Sequence, residues 1–199
     1  MLSSVIAELK KIERGFKHII EAGDKIMADA GLDHLKTATA LIAGDSYQER
    51  MLGVYLLALL SPEDEEALHL LKTKVARDED WRVQEMLAKA IDHYCKVVGY
   101  EEALPEIKRW FSDPNPLLNR AVVEGLRIWT SRPYFKEHPE EAIELISRLR
   151  LKNSGYLRKA VGNALRDIRK RHPALVAQEV EHWDMSDKGI VFTYKLVMK

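Results

Sequence analysis

Asp80-Trp81-Arg82-Val83-Gln84-Glu85, Asn119-Arg120-Ala121-Val122-Val123-Glu124 and Arg158-Lys159-Ala160-Val161-Gly162-Asn163 read as three helix starts that recur at one interval. Trp81, Arg120 and Lys159 lie 39 residues apart in turn, as do Glu85, Glu124 and Asn163, and Leu87, Leu126 and Leu165. A period of this length predicts stacked helix pairs of the HEAT or armadillo kind. The expected fold is all-α, a right-handed α-solenoid of HEAT-like repeats.

The polar positions of these helices carry the functional reading. At about 100° per residue, Trp81 and Glu85 share a face, with Val83, Leu87, Ala90 and Ile91 on the other side. In the second helix Arg120, Glu124 and Arg127 share a face, opposite Val122, Leu126 and Trp129. In the third, Lys159, Asn163, Arg166 and Lys170 lie away from Val161, Leu165 and Ile168. Stacked in register, the three helices would offer one surface with an aromatic ring, two carboxylates, an amide and several cations.

Composition bounds the alternatives. The chain has 199 residues, 46% hydrophobic and 31% charged, which is globular rather than disordered. One domain over residues 1–199 is expected, with a tail at 184–199. The single cysteine, Cys95, excludes a disulfide framework and a Cys-based zinc site. The histidines lack metal-ligand spacing, so neither metal nor cofactor is expected. The N-terminus interleaves charges with apolar residues, unlike a signal peptide. The apolar run from Met51 to Leu60 is too short to span a bilayer. A soluble cytoplasmic monomer follows. Net charge is zero, but residues 119–172 hold 13 basic and 6 acidic side chains, a local +7. Such a stretch suits either a localised polyanion site or a solvated helical surface.

Local signals place the elements. Ser3 to Glu21 has amphipathic helical spacing, and a short helix is expected around Asp33 to Ala43. Ser46-Tyr47-Gln48-Glu49 matches a capping box and opens a helix to Leu60. Ser61-Pro62-Glu63-Asp64 reads as the start of the next, with proline at the first helical position. Asp80 caps the central helix, which ends near Gly99. Asp113-Pro114-Asn115-Pro116 is a break, followed by a helix from Leu117 to Thr130. Further helices are expected over Pro139–Arg150, Tyr156–Arg171 and from Pro173. Val191 to Lys195 alternates with period two, so the tail is either extended or a packed cap.

Two features bear on chemistry. Trp81, in a first helical turn and off the apolar stripe, either packs on a neighbouring helix or is offered to a ligand. Glu85 and Glu124 are either members of ion-pair ladders or acids in a basic groove that stabilise a developing cation or position water. Asp167, at the edge of the polar face, either pairs with Arg171 or Lys170 or joins those acids. Trp110 and Trp129 fall toward the apolar side, though Trp129 also stands beside Arg127 and Arg132.

The segments Trp81–Glu85, Arg120–Trp129, Arg132–Phe135 and Tyr156–Ile168 resemble the DNA alkylation repair superfamily, the HEAT-like alkylpurine DNA glycosylases of the AlkC and AlkD type. The resemblance is strongest over residues 45–183. Its Glu124-Gly125-Leu126-Arg127 and Arg158 to Asp167 segments lean toward the AlkC branch. It implies excision of positively charged N3- and N7-alkylpurines from double-stranded DNA. It further implies catalytic acids at Glu85, Glu124 and Asp167, and lesion or DNA contacts at Trp81, Arg120, Arg127, Trp129, Lys159, Asn163 and Arg166. A non-catalytic DNA-binding module and a protein-interaction scaffold are the alternatives.

Overall fold

Capping chemistry sets the helix boundaries in the computed structural model, which describes residues 2–199. The main chain forms two compact units, one up to Val97 and one from Val98 to Lys199. The first contains α1 (Leu2–Leu9), α2 (Lys17–Met27), α3 (His34–Ile42), α4 (Tyr47–Leu60) and α5 (Glu65–Thr73), and nearly all of α6 (Trp81–Val98). The second contains α7 (Leu104–Ser112), α8 (Pro116–Gly125), α9 (Pro133–Glu137), α10 (Pro139–Arg148), α11 (Gly155–Arg169), α12 (Pro173–Glu181) and α13 (Lys188–Val197). No strand occurs among the described residues.

The capping box at α4 is complete. The Glu49 N–H donates to Ser46 Oγ, and the Ser46 N–H donates to Glu49 Oε2. Asp33, Asn115, Ser154 and Asp187 each accept a backbone N–H from the first turn of the helix that follows. Pro116, Pro133, Pro139 and Pro173 stand at helix starts, where a missing N–H costs nothing.

Four expectations change. The helix read over Ser3–Glu21 is two, because the carbonyls of Ile12 and Glu13 turn toward α4 instead of continuing a helical ladder. Gln48 Nε2 donates to Ile12 O and the Tyr47 hydroxyl to Glu13 O, while Gly15 takes φ +93°. α5 begins at Glu65 rather than Pro62, since the Asp64 carboxylate caps Glu66 and Ala67. The helix read over Leu117–Thr130 stops at Gly125. Ile128 adopts the left-handed φ of 60°, and Trp129–Ser131 forms a separate 310 turn. Arg120 and Lys159 lie in the second turn of their helices, because α8 and α11 start at Pro116 and Gly155. Of the two alternatives for the tail, the packed cap is the one realised: it is helical, and α13 packs on α11.

That last contact depends on Gly162. A Cβ there would lie 2.6 Å from Leu196 Cβ and 3.1 Å from the Thr193 carbonyl. Backbone cannot move aside as a flexible side chain can, so α13 seats against α11 only with glycine at this position.

Three side chains tie helix ends together. Buried Gln84 donates from Nε2 to the carbonyls of Val75 and Asp78, 3.2 and 2.7 Å away. Buried Asn119 donates from Nδ2 to those of Trp110, Phe111 and Asp113, at 2.6, 3.2 and 3.2 Å. Arg158 Nε donates to Arg150 O at 3.1 Å. Each is the fourth residue of its helix (α6, α8 and α11), and each closes the end of the preceding helical segment.

Two measurements check this account. Gly162→Ala is expected to destabilise the protein by about 1–3 kcal/mol in urea unfolding, as overpacking does, with amide exchange accelerated in α13. Ser46→Ala removes the cap and lowers stability by about 1 kcal/mol.

Candidate functional site

The first candidate cluster lies at the start of α6. The Asp80 carboxylate accepts the Arg82 N–H at 2.9 Å and grips the Arg82 guanidinium through both oxygens, at 2.9 and 2.8 Å. That hydrogen bonding, against the opposing effect of burial, holds the Asp80 carboxyl below its ordinary pKa. The guanidinium lies 3.5 Å from the centre of the Tyr47 ring and 5.5 Å from that of Trp81. Arg82 is therefore fixed on two sides. Trp81 itself is 60% exposed, while Trp110, Trp129 and Trp183 are buried. Glu85 follows one turn later on the same side of α6 and is half-buried.

The second cluster lies in the other unit, where α8 packs against α11. Arg120 is buried, its guanidinium 4.2 Å from the centre of the Tyr156 ring and 3.9 Å from the Glu124 carboxylate. Asp167 accepts from Arg127 Nε at 2.9 Å and from Lys170 Nζ at 3.0 Å. Burial pushes the Asp167 carboxyl up, but those two cations outweigh it and hold the pKa below its ordinary value. Lys159 is exposed, and Asn163 and Arg166 are half-buried.

Within each unit the expected residues are partly brought together. Trp81 and Glu85 share a side of α6, and Glu124 stands with Arg120. Asp167 pairs with Lys170, as one reading of its position had it, and with Arg127 from 40 residues earlier. Trp129 is corrected. It is fully buried, 5.9 Å from the Phe111 ring and 4.4 Å from Phe135, so it is a core residue without access to DNA. Helical phase puts it on the apolar side, opposite Arg127, and it stays enclosed there although the helix breaks after Gly125. Arg120, expected to meet phosphate, is likewise enclosed. Arg82 and Tyr47 escaped the sequence reading. The one available signal was the Asp80-x-Arg82 spacing, and nothing in the sequence links Tyr47 to it.

The fold and these clusters define a HEAT-like helical-repeat protein with an exposed tryptophan and carboxylate on one helix and a cation-rich pair of helices elsewhere. Residues 8–190 match the family described as DNA alkylation repair enzyme, and the chain belongs to that family. Among solved structures it is similar to AlkD2 from Streptococcus mutans: 44% identity, TM-score 0.93, covering 100% of this chain and 98% of AlkD2. It is also similar to smu.31 from Streptococcus mutans UA159: 42% identity, TM-score 0.91, covering 99% and 97%. A curated relative, the uncharacterized protein YhaZ of Bacillus subtilis (strain 168), is 31% identical over 91 residues, 44% of this chain. The chain matches 26% of the length of that relative. Full-length likeness to AlkD2 weakens the expected lean toward the AlkC branch. No described helix is long and apolar enough to cross a membrane.

The Asp167 ion pairs make a pH-dependent prediction. A carboxyl with a depressed folded-state pKa stabilises the protein fully above its unfolded value, ordinarily 3.8, and that stabilisation is lost as pH falls through the lower folded value. Asp167→Asn should therefore cost about 1 kcal/mol at pH 7. The gap to the parent protein should close as urea titrations are taken below pH 3.8.

Proposed function

We propose that this chain is a DNA glycosylase for positively charged N3- and N7-alkylpurines in duplex DNA. The observation that supports it is the pairing, on one side of α6, of an exposed Trp81 with Glu85 one turn on. The chemistry suits these residue types. Alkylation at N3 or N7 gives the purine a positive charge, so it leaves the sugar with the bonding electron pair and without prior protonation. The C1′–N bond breaks, an oxocarbenium-like sugar forms, and water adds at C1′ and loses a proton. The products are a free base and an abasic site. A carboxylate such as Glu85 stabilises the developing positive charge and orients the water. An indole face attracts a cationic base.

Glu124 and Asp167 are the further acids of this proposal. Lys159, Arg166 and Arg127 supply cations for phosphate, with Asn163 as a polar contact among them, which makes binding salt-dependent. The partner of this reading is double-stranded DNA carrying alkylated bases, met by a protein in the cytoplasm.

One observation favours a second reading, a DNA-binding repeat protein without base excision. The Asp167 carboxylate is held between Arg127 and Lys170, and a carboxylate compensated by two cations has little field left for a sugar cation. The two readings part in one experiment, base release from methylated genomic DNA with the freed purines identified. Release of 3-methyladenine or 7-methylguanine above the spontaneous rate is expected. In Glu85→Gln it should fall by about a hundredfold or more, with DNA affinity retained. Normal release by that variant would overturn the role of Glu85. Binding without release by the parent protein would leave the second reading.

A further inference from the structure

The first unit contains a cavity of about 380 Å³ beside Trp81. It opens between the turn that joins α1 to α2 and the first turns of α4 and α6. Phe16, Tyr47 and Trp81 give it aromatic walls, and buried Met51 closes it. Glu13, Arg14, His18 and Arg82 add polar groups to the lining. The volume falls at the small end of ligand pockets, which suits one flat heterocycle and not a helix or an extended peptide.

The walls are held in place. The Tyr47 hydroxyl donates to Glu13 O at 3.0 Å, tying α4 to the turn that carries Phe16. Arg82, fixed by Asp80, stands 3.5 Å from the Tyr47 ring centre. Lys89 lies 5.0 Å from the centre of the Phe16 ring. Aromatic rings bordered by cations form the arrangement by which proteins hold single strands: bases stack on the rings, and the backbone follows the positive charge. The rings suit the flat face of a base, and Arg14 and Arg82 in the lining suit the backbone that follows it. Burial lowers the pKa of His18, so its imidazole is neutral near pH 7. A neutral imidazole has one donor and one acceptor nitrogen, as the edge of a base requires.

We propose that this cavity receives an unpaired nucleobase of a DNA strand, stacked on Phe16 and Tyr47. The inference rests on the DNA-binding part of the reading above and is independent of catalysis. It assigns to the turn at Gly15–Phe16 a role in holding a base that has left the helical stack.

The test compares two labelled five-nucleotide strands with equal phosphate charge by fluorescence anisotropy. One bears a single central 5-iodouracil between tetrahydrofuran abasic positions, and the other is abasic throughout. Stacking of one base predicts about tenfold tighter binding of the first strand. Phe16→Ala should remove that preference while the affinity for the abasic strand persists. Phe16→Tyr, which keeps a ring, should retain the preference. Irradiation of the parent protein with the iodouracil strand should crosslink it to Phe16, Tyr47 or Trp81. Equal affinity for the two strands, or crosslinks mapped only to other residues, would overturn the proposal and leave the DNA reading intact. Binding of neither strand, nor of duplex, at low salt would overturn both.

Discussion

Everything in the helical register follows from the carbonyls left at the end of each helical segment. Helix C-termini leave four carbonyl groups without intrahelical partners, and enclosing them unpaired costs free energy. Here the fourth residue of the next long helix satisfies them. Gln84 and Asn119 do so with matching geometry, each reaching carbonyls nine and six residues earlier. Arg158 does the same for Arg150. These bonds fix where α6, α8 and α11 begin relative to the segments before them. They also determine that Trp81, three residues ahead of Gln84, stands at an exposed first turn.

The same bonds explain what the interval of 39 concealed. The staple residues of α8 and α11, Asn119 and Arg158, are 39 apart, and the interval holds there. Gln84 and Asn119 are only 35 apart, so α6 enters the repeat one turn later. The structural counterpart of Glu85 is thus Arg120, the fifth residue of its helix, and that of Glu124 is Lys89. A shift of four residues leaves a helix face almost unchanged. Hydrophobic periodicity alone could not detect it, because either alignment buries the same stripe.

What was legible in the chain was local. Ser46 with Glu49, Asp33, Asn115 and the helix-opening prolines act within four residues of themselves, and their positions survive in the fold. What was not legible depends on contacts distant in sequence. The split between α1 and α2 is drawn by Tyr47 and Gln48, more than thirty residues on. The fate of Trp129 depends on Phe111 and Phe135. The helical tail depends on Gly162 lacking a side chain. Charge counting is blind to pairing for a related reason. Several cations of 119–172 are engaged internally: Arg127 and Lys170 with Asp167, Lys152 with the Asp113 carbonyl, Arg148 with Glu144, and Arg150 with Ser147 near Glu179.

This distinction separates the carboxylates from one another. A carboxylate stabilises a transient cation through the part of its field not already compensated by fixed positive charge, because each neighbouring cation subtracts a comparable Coulomb term. Asp167 has two cations within 3.0 Å of its oxygens. Glu124 has a buried guanidinium at 3.9 Å. At the start of α6 the local positive charge, Arg82, is matched by Asp80 through paired hydrogen bonds and contributes little net field one turn away. Glu85 stands one turn past this pair, on the same side of α6 as an exposed indole. Of these acids, Asp167 is the one whose field the neighbouring cations offset most.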